Sequence, residues 1–168
     1  MTRILGVDPG SRATGWAVIE AEGSRLRLCA SGVLRPRGEA RAARFAWLYR
    51  NLGEIVAREA PETAAVESPF AGVNVRSALA LAEARGVVLA ALGGSGLEVT
   101  ALSPAEVKSA VVGTGRADKR QVAFMVVRLL GLDATPPEDA ADAMAVAIAH
   151  WRHASWSTRL RTRTIPPR

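Results

Sequence analysis

Residues Ile4-Leu5-Gly6-Val7-Asp8-Pro9-Gly10 constrain this chain more than any other stretch. Four consecutive residues without a polar side chain predict a strand buried on both faces. The strand ends on a carboxylate, and Pro9-Gly10 turns the chain at once. Residues 14–20 supply a second strand, close enough to pair with residues 3–7 as a hairpin, so Asp8 falls where a central strand meets solvent. A charge there is costly unless something cationic meets it. Asp-Pro-Gly is also ordinary turn chemistry, and the heptamer alone leaves both readings open.

The rest of the chain alternates strands with helices. Residues 26–34 alternate loosely, as a half-exposed third strand does. Residues 39–59 predict a helix with Phe45, Leu48, Leu52, Ile55 and Val56 on one face. Residues 63–66 form a short apolar strand running into Glu67, and Asn74 can cap a helix over 75–92 that is apolar all round. Such a helix is either deeply buried or shared with a partner. After a fifth strand at 97–102, Ser103-Pro104-Ala105-Glu106 opens a helix with a capping box and a proline at its first position. Gly113 and Gly115 stop it, residues 118–130 make the next, and Thr135-Pro136-Pro137-Glu138 predicts a second capping box launching an alanine-rich helix to about His153. The expectation is an α/β fold with a mixed five-stranded sheet flanked by helices, residues 1–154 forming one domain and 155–168 a mobile basic tail.

Acids gather at the ends of these elements. Asp8 follows strand one and Glu67 follows strand four. Asp139 and Asp142, three apart, share one face of the last helix. Glu138 shares that face as well, but the capping box gives it a structural task that Asp139 lacks. If strands one and four are neighbours and the last helix crosses beside them, the carboxylates converge with no histidine, serine or cysteine to match. Such a cluster repels itself unless divalent cations neutralise it, and oxygen-only ligands suit Mg²⁺ or Mn²⁺. Two such ions, about 3.5–4 Å apart, activate a water and stabilise the leaving oxygen in phosphodiester cleavage. The helix dipole, which favours acids in a first turn, accounts for Asp139 and Asp142 singly but not for the whole set.

Gly6-Val7-Asp8-Pro9-Gly10 with Thr14-Gly15, then Val66-Glu67-Ser68-Pro69-Phe70, then Asp139-Ala140-Ala141-Asp142-Ala143 resemble the RuvC family of Holliday-junction resolvases. The resemblance runs from about residue 3 to 154. It implies an RNase H-like fold in which Asp8, Glu67, Asp139 and Asp142 are the catalytic residues and hold two Mg²⁺ ions, for which Mn²⁺ substitutes. It also implies metal-dependent, paired and symmetric nicking of four-way DNA junctions by a homodimer during recombination and repair. A branch-migration helicase of the RuvA and RuvB type is its implied partner. Two active sites related by a dyad suit a two-fold junction, and the apolar helix at 75–92 is the candidate dimer contact.

Charge agrees with a polyanionic partner. The 168 residues carry a net charge of +6, and taking four of 16 acids for the metal site leaves about +10 elsewhere. Of 22 basic residues only Lys108 and Lys119 are lysines, and both match family positions implicated in DNA binding. Lys119 and Arg120 stand near a helix N-terminus, where a bound phosphate would use the free N–H groups; Asp118 is the competing cap. The resemblance makes Phe70 a wedge or stacking platform against an unpaired base at the junction centre. Arg76 and Arg85 are phosphate-contact candidates that solvent could equally claim, while His150 and His153 end a helix. The single Cys29 excludes an internal disulfide and fits a cytoplasmic protein, and no apolar run approaches a membrane span. The alternatives are a non-catalytic junction-binding protein and an actin-like ATPase-related domain, the latter needing a duplicated domain and a second phosphate loop.

Overall fold

Side-chain alternation along the first strand sets the architecture. In the computed structural model, which describes residues 1–38, 40–68 and 75–162, strand β1 (Thr2–Asp8) lies in the middle of one mixed sheet. It pairs antiparallel with β2 (Thr14–Glu22), which pairs antiparallel with β3 (Arg25–Leu34). On its other side β1 pairs in parallel with β4 (Thr63–Glu67), and β4 pairs in parallel with β5 (Val99–Leu102). The order is β3-β2-β1-β4-β5, the mixed five-stranded sheet expected from the sequence.

Both faces of β1 are covered, as its uninterrupted apolar run requires. Leu5 and Val7 join Trp16 and Val18 in a core closed by helices α1 (Arg41–Glu59) and α2 (Val75–Gly94). Ile4 and its same-face neighbours Ala17 and Ile19 join a second core with α3 (Pro104–Val112), α4 (Lys119–Leu130) and α5 (Glu138–Thr162). Helix α5 is central to that layer. Every residue from Ala143 to His150 is buried, and small alanines let its backbone come close to the sheet.

Two glycines make the approach possible. A Cβ at Gly6 would stand 2.2 Å from the carbonyl oxygen of Ala143, and one at Gly15 would stand 1.8 Å from that of Asp139. Both clashes are with backbone, so no side-chain rotation relieves them. The beginning of α5 is therefore seated on β1 and β2 at the end of the sheet where Asp8 lies, because Asp8 faces Gly15 in the β1–β2 register.

Three local expectations are corrected. Helix α5 begins at Glu138, two residues too late for a capping box with Thr135, and the Glu138 carboxylate pairs with Lys119 instead. The same helix runs to Thr162, past the expected end near His153. His150 does not end it: its ring is buried, with Nε2 3.2 Å from Oγ1 of Thr63. The Ser103–Glu106 capping box and the proline at the start of α3 are present as predicted. Asn74 and Phe70 lie outside the described residues.

Candidate active site

Parallel pairing of β1 with β4 brings the first two acids together. Val7 lies opposite Val66, so the next residue on each strand, Asp8 and Glu67, emerges at the same sheet end. Their carboxyls are hydrogen-bonded to each other, and burial, the Glu67 charge and that hydrogen bond push Asp8 up to about 8. The charges of Asp142 and Asp139 add to the effect. Glu67 is also raised, first by its burial; the Asp8 hydrogen bond, Lys119 and Lys108 pull the other way. Burial and the neighbouring negative charge thus work against ionising both carboxyls at once.

Helix α5 supplies the other two acids from its first turns. Asp142 interrupts an otherwise buried surface, and its carboxyl, raised by burial and drawn back by Lys119, opens into a cavity of about 250 Å³. Asp8, Glu67, Lys108 and Lys119 line the same cavity. Asp139 stands at its rim: its charge is felt by Asp8 and Asp142, while its carboxylate accepts a hydrogen bond from Arg35 at 2.8 Å. Asp8, Glu67 and Asp142 thus line one cavity, whereas Asp139 is not among its lining residues and is engaged by Arg35, a cation that sequence reasoning did not foresee.

The predicted cations divide. Lys119 points at the acids, with Nζ 2.6 Å from Glu138 and 3.7 Å from Asp142. Lys108 shares the cavity and acts electrostatically on Glu67. Arg120 is exposed one residue further along α4, and the N-terminus there is occupied by Asp118, whose side chain accepts from the Gln121 N–H in a capping box. The competing cap therefore holds that helix end. Arg76 is exposed in the first turn of α2, and Phe70 cannot be placed among the described residues. Arg35, Gly6 and Gly15 were missed as site-forming residues. Arg35 was within reach of sequence logic, since an antiparallel meander returns the end of β3 to the end of the sheet that carries Asp8. The glycines carried no signal beyond sitting in strands, where a residue without a side chain marks close backbone approach.

This donor set suits a hard divalent cation: it consists of carboxylates alone, partly buried, whose mutual repulsion a cation would relieve. Among the described residues no three acidic, histidine or cysteine side chains are close enough to hold an ion as they stand. Asp139 and Asp142 face Arg35 and Lys119 instead. It is an open cleft rather than a closed cage. Among the described residues no helix is long and apolar enough to cross a membrane.

Comparison with known proteins agrees with this arrangement. Residues 4–150 match the family model described as Crossover junction endodeoxyribonuclease RuvC. A protein of that description from Alkalilimnicola ehrlichii is 49% identical over 161 residues, covering 96% of this chain and 98% of its own. The structure of Thermus thermophilus RuvC in complex with Holliday junction substrate superimposes with a TM-score of 0.89 at 34% identity, covering 94% of this chain and 98% of that one. The yeast mitochondrial Holliday junction resolvase, at 13% identity and a TM-score of 0.72 over 96% of this chain and 84% of its own, shares the fold. The architecture is the RNase H-like one expected.

Proposed function

The chain belongs to the RuvC family of crossover junction endodeoxyribonucleases, and from that premise we propose that it resolves four-way (Holliday) DNA junctions with Asp8, Glu67, Asp139 and Asp142 as its catalytic carboxylates. The observation that carries the assignment is the convergence of Asp8 and Glu67, from adjacent parallel strands, with Asp142 of α5 around one cationic cavity. None of the described residues lining that cavity is a conventional nucleophile, and their contribution is to bind, orient and neutralise.

Divalent metal dependence follows from the family and the donor set; the finer reading is two Mg²⁺ ions, with Mn²⁺ as a substitute. When bound, such ions activate water and offset the charge that develops in phosphodiester cleavage. Asp8, between Glu67 and Asp142, would hold both, with Glu67, Asp139 and Asp142 completing the two sets. For this both Asp8 and Glu67 would have to be ionised, and Asp139 and Asp142 would exchange Arg35 and Lys119 for metal. Those two cations then become available to phosphate oxygens. Lys108 faces the same cavity and offers a compact charge to the strand. Arg76, Arg120 and Phe70 remain candidate DNA contacts.

A homodimer is the assembly that fits a two-fold junction and paired, symmetric nicking. Support comes from α2, whose first turns leave Val75 and Leu79 exposed at 75% and 61% while its later turns pack on α1. A helicase of the RuvA and RuvB type and a role in recombination and repair belong to the same reading. The deciding experiment is cleavage of a synthetic four-way junction and of a linear duplex of the same sequence, with and without Mg²⁺, alongside a gel shift. Mg²⁺-dependent paired nicks confined to the junction are the expected result. Binding without cleavage under every metal condition would leave only a junction-binding module.

A further inference from the structure

Two cavities meet over the Asp8–Glu67 pair. Pro104 and both carboxylates line each of them. On the α3 and α4 side the walls present Lys108 and Lys119. On the α2 side they present Arg85, with Leu81 and Ser68. The site is thus cationic on two opposite flanks, and only one of them has a part in the reading above.

The cations around the acids differ in what already occupies them. Lys119 is taken by Glu138 and Asp142, and Arg35 by Asp139. Among the described residues Arg85 makes no ion pair and its buried Nε finds no hydrogen-bond partner. The nearby acids are committed elsewhere: Asp8 and Glu67 bond each other, and Glu83 pairs with Arg41. A guanidinium N–H buried without an acceptor is costly and calls for an explanation. The planar fork is matched by an anion with several oxygens, and phosphate is the one that a cleft of this charge pattern meets.

We propose that Arg85 binds a backbone phosphate of the strand being cut, on the flank of Asp8 and Glu67 opposite Lys108 and Lys119. The strand then crosses the carboxylates held by a guanidinium on one side and by ammonium groups on the other. This addresses a physical difficulty of the site, which must draw a polyanion onto a cluster of negative charge. The assignment rests on the nuclease reading, and its test separates the two.

Wild-type protein is first used with Mg²⁺ to map the phosphate it cuts. Junctions are then made with a single neutral methylphosphonate at that position or at either neighbour. Dissociation constants are measured in EDTA for wild type, Arg85→Ala and Arg85→Lys, with thermal midpoints recorded for each. On the unmodified junction Arg85→Ala should bind about tenfold more weakly, and Arg85→Lys should recover part of that, since a point charge replaces the fork. At one of the three modified positions the deficit should vanish, because the charge that Arg85 meets is gone. A deficit that persists at all three, or no deficit on the unmodified junction, overturns the assignment. Should Arg85→Ala melt well below wild type, Arg85→Lys carries the same comparison. Failure of wild type to cut any junction instead overturns the nuclease reading, and it shows before any variant is made.

Discussion

Gly15→Ala puts the seating of α5 to the test. The added methyl would lie 1.8 Å from the carbonyl oxygen of Asp139 and 2.6 Å from its carbonyl carbon. Ordinary contact begins near 3.4 Å, so the first turn of α5 must retreat by about 1.6 Å, or β2 must move as far the other way. Overpacking of this kind costs about 1–3 kcal/mol. For a chain of this size that lowers the melting temperature by roughly 2–12 °C. Asp139 and Asp142 ride on the displaced turn, and a misplacement of about 1 Å in catalytic groups can cost on the order of 100-fold in rate. Asp8 and Glu67 stay on their strands, and the basic surface is untouched. The assay is single-turnover nicking of a four-way junction at saturating protein and Mg²⁺, with gel-shift affinity and thermal melting measured on the same preparation. A fall in cleavage of about 100-fold, with affinity within threefold of wild type, is the expected result. Gly53→Ala in α1, where a Cβ would meet nothing within 4 Å, is the control and should leave both unchanged. Cleavage by Gly15→Ala within threefold of wild type, at unchanged melting temperature, would refute the idea that close approach at Gly15 positions the acids. Parallel loss of binding and cleavage would point to unfolding.

Asp8→Asn should abolish nicking and leave junction binding intact, since binding rests on the basic surface; joint loss would contradict the metal assignment. The same substitution carries a pH signature in the metal-free protein. Asp8 is raised from 3.8 to about 8, so the folded state holds a proton that the unfolded state gives up. Stability associated with that carboxyl is full below pH 3.8 and falls until the pH passes about 8. In EDTA, thermal melts from pH 5 to 9 should show Asp8→Asn gaining on wild type as pH rises, and parallel curves would refute the proton held on Asp8. Lys119→Ala should flatten the salt dependence of junction binding by about 0.9 in log–log slope, and an unchanged slope would take Lys119 out of the footprint. Leu79→Arg, at a 61% exposed apolar position of α2, should shift sedimentation from dimer to monomer without lowering the melting temperature of the monomer; a dimer that survives would place the interface elsewhere.

Much of the fold could be read from local pattern. Each of the five strands and five helices was expected near its observed place, because strand alternation, helix faces, the Ser103 cap and the stopping glycines are properties of short segments. The errors lie where a long-range partner outbids a local one. Glu138 is a sound capping-box acid until Lys119 comes within 2.6 Å across the chain. His150 sits near the expected end of its helix, yet it is buried against Thr63 of β4. The charge-rich stretch beyond His153 has little to bury, but α5 continues through it to Thr162.

The four acids were legible for a different reason. A carboxylate at the end of a buried strand, or in the first turns of an apolar helix, conflicts with its surroundings, and residue type with spacing reveals the conflict. The amino-acid order by itself determined which side chains could not be there for packing. Which of them meet was decided only by the tertiary structure. That β1 lies beside β4, that Gly6 and Gly15 admit α5 against the sheet, and that Arg35 and Arg85 arrive on the flanks are all contacts between distant segments. No local propensity encodes them, because their free energy exists only once the segments are packed together.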